Sequence, residues 1–351
     1  MHWHDIPGPV LENLRRGVAI PAHPLALTAA RTLDTRRQRA LTRYYIDAGA
    51  GGLAVGVHTT QFAIREAGLF EPVLRTAMET AADWTERPLV MIAGLAGPTA
   101  QAVREAETAR ALGYHAGLLS LAALGGASED EMVAHCAAVA RVMPIVGFYL
   151  QRAVGGPDLS ARFWRRFAEI DNAVAIKIAP FNRYRTLDVV RGVAEAGAEE
   201  RITLYTGNDD HILLDLLTPY RVRRGADEVT LRIRGGLLGQ WSVWTKAAVE
   251  MLERAHAAAD SGQVPADLLT LDAQLTDANG ALFDVANDFA GCIAGCHEVL
   301  RRQGLLENMV LLDPEEGLGP GQADEIDRVC AAYPHLADDA FVAGNRERWL
   351  A

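Results

Sequence analysis

Short apolar runs alternate with amphipathic helical stretches from about residue 17 to residue 259, and this rhythm constrains the fold more than any other feature. Parallel strands must be joined by crossovers, usually helices, which cover both faces of the sheet and let each strand be apolar throughout. The candidate strands are residues 18–22, 53–57, 89–93, 116–121, 145–150, 173–178, 202–206 and 228–233. Eight βα units predict an α/β fold of the (β/α)₈ TIM-barrel type, with a doubly wound sheet as the competing architecture.

Helix ends are legible between the strands. Asp34 or Thr35 caps a helix whose Leu41, Tyr44, Tyr45 and Ala48 recur at helical spacing before Gly49 stops it. Thr99 caps another, with Ala102, Ala106 and Ala109 on one face, and Phe163, Phe167 and Ile170 form a third stripe. Beyond Gly262 the strand signals fade. Residues 268–303 and 322–332 read as helices around the Pro/Gly-rich segment 313–321. The expected organisation is a catalytic barrel over residues 1–260 and a C-terminal helical extension over 261–351 packed on it. A chain of 351 residues, 50% hydrophobic, has the size and core for that plan.

Charge narrows the partners. A formal net charge of −11, with basic residues interspersed among acidic ones, lacks the clustered cations that neutralise phosphates, so nucleic acid is not expected. The first residues, Met1-His2-Trp3-His4-Asp5, have no basic flank and apolar core of a secretory signal. No apolar run approaches the roughly 18 residues needed to span a bilayer. The chain therefore reads as cytoplasmic with no membrane partner. Four cysteines are too few for a disulfide framework. Cys292, Cys296 and His297 lack matching ligands nearby, and Asp209, Asp210 and His211 suit a helix N-terminus, so neither metal nor cofactor is expected.

In a barrel the chemistry sits at the C-terminal strand ends. Alternation in Ala173-Val-Ala-Ile-Lys-Ile-Ala179 places Ala175, Lys177 and Ala179 on one face. A lysine amine in an apolar pocket loses solvation of its charged form and becomes the neutral nucleophile that attacks carbonyls, although such a lysine can equally snorkel to solvent. Tyr149 ends the preceding strand, where its phenol can relay protons or simply pack. After the second strand, His58, Thr59 and Thr60 offer hydroxyls, backbone N–H groups and an imidazole for a carboxylate, or form an ordinary turn. Arg232 and Arg234 alternate along the eighth candidate strand and either reach substrate or pair with the helix layer. The glycines of segment 235–239 after it read as tight backbone packing.

Thr59-Thr60, Tyr149, the Ile176-Lys177 strand and Thr206-Gly207-Asn208-Asp209 together resemble the dihydrodipicolinate synthase/N-acetylneuraminate lyase family in order and spacing, over roughly residues 17–259. The resemblance implies that Lys177 forms a Schiff base with pyruvate or a 2-oxo-3-deoxy sugar acid, and that Tyr149 relays protons. It further implies that the Thr59/Thr60 loop holds the carboxylate, that Gly207 and Asn208 lie beside the substrate, and that the chain forms a dimer or tetramer. Departures are specific. The family's Gly-Thr-Thr-Gly-Glu loop stands here as His58-Thr-Thr-Gln-Phe62, and Val154 occupies the position of the substrate-binding arginine, which leaves Arg152 as the available replacement. No aromatic pair follows the fourth strand. These losses disfavour the synthase reaction itself. The expectation is an aldolase or dehydratase, with a non-catalytic small-molecule binding or regulatory protein as the alternative.

Overall fold

The computed structural model describes residues 1–351. Ten strands are present: β1 (Ala19–Pro21), β2 (Gly52–Val55), β3 (Val90–Leu95), β4 (Ala116–Leu119), β5 (Ile145–Leu150), β6 (Ala173–Ala179), β7 (Thr203–Thr206), β8 (Tyr220–Arg224), β9 (Asp227–Leu231) and β10 (Ile233–Leu238). Eight of them form one parallel sheet in the order β1-β10-β7-β6-β5-β4-β3-β2, and a parallel bridge between Ala22 and Ala54 closes the ring. The fold is the expected (β/α)₈ barrel with a C-terminal helical extension.

One strand differs from the sequence reading. Residues 228–233 are not the eighth barrel strand: most of them form β9, which pairs antiparallel with β8 through a turn at Gly225 and Ala226. The barrel is completed by β10, the glycine-containing segment taken from sequence as a loop. Glycines lower strand propensity and so hide it. Here they are required by close approach, since a Cβ on Gly235 would lie 2.5 Å from the Tyr205 ring and 2.8 Å from the Val18 backbone.

The barrel interior is packed, with Ile20, Ile92, Leu118, Val146 and Leu237 among the inward residues. The N-terminal helix Gly8–Arg16 plugs the bottom with Val10 and Leu14, and the Tyr205 hydroxyl donates to Leu14 O at 2.8 Å. Outward-facing strand residues join a second cluster shared with the surrounding helices. Asp34 caps the helix Thr35–Ala48 as expected, whereas Thr99 is the first residue of its helix and Pro98 stands at the cap. No helix is long and apolar enough to cross a membrane.

The extension comprises helices Ala266–Leu282, Cys292–Arg302, Gln322–Ala332 and Asp339–Leu350. The first two are separated by a break at residues 283–291, where Asp284, Asp288 and Phe289 adopt positive φ. Asp338 ties the extension to the barrel. Its buried carboxylate accepts from the Tyr44 hydroxyl at 2.7 Å, the Lys246 N–H at 3.1 Å and the Gln303 amide at 2.9 Å. Asp338→Ala leaves three donors without their acceptor, at about 1–3 kcal/mol for a buried orphan. The expected result is a loss of about 3 kcal/mol in urea denaturation, and an unchanged midpoint would refute the role.

Candidate active site

Alternation along β6 turns Ala175, Lys177 and Ala179 inward and leaves Ile176 and Ile178 among the helix-facing residues. Neighbouring strands pair Phe148 and Tyr205 with Lys177. The lysine is 7% exposed, and its Nζ lies 4.6 Å from the centroid of the Phe148 ring, within a cavity at the C-terminal end of the barrel. Burial lowers the amine to about 8, against the opposing pull of Asp209 and Cys292. A sizeable fraction is therefore neutral at physiological pH, as nucleophilic attack on a carbonyl demands.

Asp209, which follows β7, lines the same cavity. Burial raises its carboxyl to about 7, while the Lys177 charge and the Gln240 N–H, 3.1 Å from Oδ1, draw it back down. The carboxyl and the amine share one cavity and each shifts the other's proton affinity, so their titrations are coupled. From sequence Asp209, Asp210 and His211 read together as a helix N-terminus. The cap falls on His211, with no side-chain capping bond, and the Asn279 amide anchors the Asp209 carbonyl at 2.5 Å.

The loop after β2 divides its two threonines. Thr59 lines the cavity. The Thr60 hydroxyl is consumed by the backbone, donating to His23 O at 2.6 Å and accepting from Gly56 N at 3.0 Å and Val57 N at 3.2 Å. His58 also lines the cavity, and burial together with the Lys177 charge lowers it to about 4, so it is neutral. The loop holds its course without the family's glycines because Gln61 takes a φ of 68° and its Oε1 accepts from Leu312 N of the extension at 2.7 Å. Beneath it, Arg65 makes a buried two-pronged pair with Glu105 at 2.9 Å and donates to Gly94 O at 3.0 Å.

Four expected site residues lie elsewhere. Tyr149 faces the helix layer, packs against Trp164, and exchanges hydrogen bonds with the backbone of Leu159 at 3.1 Å. The β5–β6 register places Phe148 beside Lys177, so the inward position carries no hydroxyl. Arg152 does not replace the missing arginine: its side chain is 78% exposed and pairs with Asp158 at 3.0 Å. Arg232 lies between β9 and β10, in a groove with Arg15 and Arg16 of the N-terminal helix, at the opposite end of the barrel. Asn208 is structural, since its amide donates to Asp215 at 2.8 Å and its oxygen accepts from Phe181 N at 3.0 Å. Gly207 and Val154 border the cavity.

Several lining residues escaped sequence reading. Phe181 follows β6, and Phe283, Phe289, Cys292 and Cys296 come from the extension. Burial pushes the Cys296 thiol up to about 12 and Cys292 well above its ordinary value, so both are neutral. No local signal marks the extension residues, which approach Lys177 only through the tertiary fold. One signal was present in composition: of 34 basic residues, only Lys177 and Lys246 are lysine. Lys246 pairs with Glu250 at 3.3 Å on the surface.

Comparison with known proteins gives a consistent result. The chain is similar to a dihydrodipicolinate synthase from Aquifex aeolicus (18% identity, TM-score 0.73, covering 92% of this chain and 99% of that one). A chloride-inhibited dihydrodipicolinate synthase from Acinetobacter baumannii, complexed with pyruvate, shares 20% identity with a TM-score of 0.70, over 90% of this chain and 98% of that one. YagE from E. coli K12, also in complex with pyruvate, shares 18% with a TM-score of 0.71, over 91% and 97%. At these identities the likeness establishes the fold. No curated protein matches the sequence. The family model described as the Dihydrodipicolinate synthetase family matches residues 18–229, more than half of the chain. The chain belongs to the Dihydrodipicolinate synthetase family.

Proposed function

We propose that this protein is a Schiff-base lyase that captures pyruvate or a related 2-oxo acid on Lys177. The observation that carries the reading is the buried amine, lowered to about 8 by burial in a cavity that it shares with the Asp209 carboxyl. Family membership and the pyruvate bound in two structural relatives support the substrate class. Attack of the neutral amine on the 2-oxo carbon, followed by loss of water, gives the imine. The protonated imine then accepts the electron pair released when a proton leaves C3 or a C3–C4 bond breaks. Asp209, rather than Tyr149, stands where it can move these protons. Thr59 and the neutral His58 offer hydrogen bonds to the carboxylate and carbonyl oxygens. With Val154 at the family's arginine position and Arg152 paired outside, the reading is an aldolase or dehydratase, not the synthase reaction.

Borohydride reduction in the presence of pyruvate is expected to add the mass of the reduced adduct to the Lys177 peptide and not to the Lys246 peptide. A panel of 2-oxo acids that leaves Lys177 unmodified would sink the proposal. The pH dependence has a definite sign. The amine's conjugate acid is weakened, so the initial adduct rate should rise through about pH 8, whereas an ordinary lysine rises near 10.4. In Asp209→Asn the negative charge that holds the proton on the amine is gone, so the midpoint moves to lower pH. A midpoint that stays in place or rises counts against the coupling.

The family resemblance also supports assembly as a dimer or tetramer, which light scattering of the purified protein reads directly. A second reading, a binding protein without turnover, draws on the diversion of Tyr149 from the cavity. It predicts thermal stabilisation by a 2-oxo acid that survives Lys177→Ala.

A further inference from the structure

The cavity around Lys177 has two chemically different parts. Its polar groups, Lys177, Asp209, Thr59 and His58, gather around the point where a 2-oxo acid would be held. The remaining wall is largely apolar, and four phenylalanines contribute to it: Phe148, Phe181, Phe283 and Phe289. Phe181 and Phe289 also border the adjoining outer groove, which contains Arg152 and Asp158, so they stand between the cavity and solvent. Their rings meet edge to face with centroids 5.7 Å apart.

Both of these residues are held at positive φ, 51° for Phe181 and 68° for Phe289. That region is unfavourable for a bulky side chain and persists only where the surrounding structure enforces it. The enforcement is visible: the Phe181 N–H donates to Asn208 Oδ1 at 3.0 Å, and the Phe289 N–H donates to the Asp284 carbonyl at 3.0 Å. The two rings are thus positioned by strained backbone from two distant parts of the chain, one after β6 and one in the break of the extension. Val154 lines the same wall, and Arg152 is turned outward to Asp158. The apolar part therefore offers no cation to a second carboxylate or a phosphate. Gln151 is the one side-chain amide that lines the cavity, too few polar groups to match a chain of sugar hydroxyls, and burying such hydroxyls without partners is costly.

Resting on the imine reading, we propose that the carbonyl partner of the 2-oxo acid is an aromatic aldehyde whose ring lies against Phe181, Phe283 and Phe289. The enamine formed from pyruvate on Lys177 attacks the aldehyde carbon with C3. The new C3–C4 bond takes the enamine electron pair, and the former carbonyl oxygen takes up one proton to become a hydroxyl. One water molecule then hydrolyses the imine, releasing a 4-aryl-4-hydroxy-2-oxobutanoate and the free amine. The cleavage direction runs the same steps backwards and returns pyruvate and the aldehyde. Asp209 is the group placed to carry the proton in either direction. No oxidant or reductant is needed.

The test uses the full-length protein with pyruvate and either benzaldehyde or glyceraldehyde, with products quantified by liquid chromatography and mass spectrometry. Benzaldehyde is expected to give roughly 100-fold higher kcat/KM, the scale of discrimination from burying an aromatic group against apolar walls. In Phe289→Ala the ratio of benzaldehyde to glyceraldehyde kcat/KM should fall about tenfold, mainly through the KM for benzaldehyde, as expected when one aromatic contact is lost. A pyruvate adduct on Lys177 with glyceraldehyde preferred, or with the ratio unchanged in Phe289→Ala, overturns this inference and leaves the imine reading standing. No adduct with any 2-oxo acid overturns both.

Discussion

Lys177→Ala is expected to lower turnover by roughly 10⁴-fold or more, the scale seen when a covalent nucleophile is removed from a site that acts as a unit. No second amine can take over. The only other lysine, Lys246, sits beyond the barrel wall in an ion pair with Glu250. Loss of the buried ammonium also removes a desolvation cost that Asp209 only partly offsets, so the variant should fold at least as well as the wild type. A thermal midpoint equal to or above that of the wild type, with activity abolished, separates a catalytic from a structural role. Retention of more than a hundredth of the wild-type kcat would rule out the imine on this residue.

Gly207→Ala is expected to reduce kcat by about 100-fold, the effect of displacing a reacting group by about 1 Å. A Cβ at this position would stand 2.6 Å from Lys177 Cε and 2.8 Å from the Ala179 Cβ. The lysine chain can swing aside. Ala179 is fixed by β6, so the relief must come largely from moving the nucleophile. The backbone of Gly207 is not in the left-handed region, so conformational strain does not complicate the variant. Borohydride trapping should slow in step with kcat. A wild-type trapping rate would show that the amine tolerates displacement and would remove Gly207 from the list of positioning residues.

What could be read from sequence follows the range of the interactions involved. The strand Ile145–Leu150 and the inward face of β6 were legible because alternation and apolar runs are local signals. Which of Phe148 and Tyr149 faces Lys177 is set by pairing between strands, and the β5–β6 register shifts between Ile145 and Val146. The motif spacing therefore pointed to Tyr149 when the inward position belongs to Phe148. The eighth strand was displaced by one element because the hairpin β8–β9 carries the alternating apolar pattern, while β10 carries glycines needed for close packing. That error moved Arg232 to the wrong end of the barrel. Asp209 was visible as a residue but not as a member of the site, because its altered proton affinity arises from burial by groups far away in sequence.

The break at residues 283–291 ties the chemistry to the order in which the chain is made. All eight barrel strands leave the ribosome before Phe283, Phe289, Cys292 and Cys296 do, and synthesis adds only about 5–20 residues each second. For that interval the chain lacks four of the residues that line the cavity of Lys177. Docking of the extension adds Phe283, Phe289, Cys292 and Cys296 to the cavity wall. The wall around Lys177 is thus complete only when the helix Cys292–Arg302 has settled.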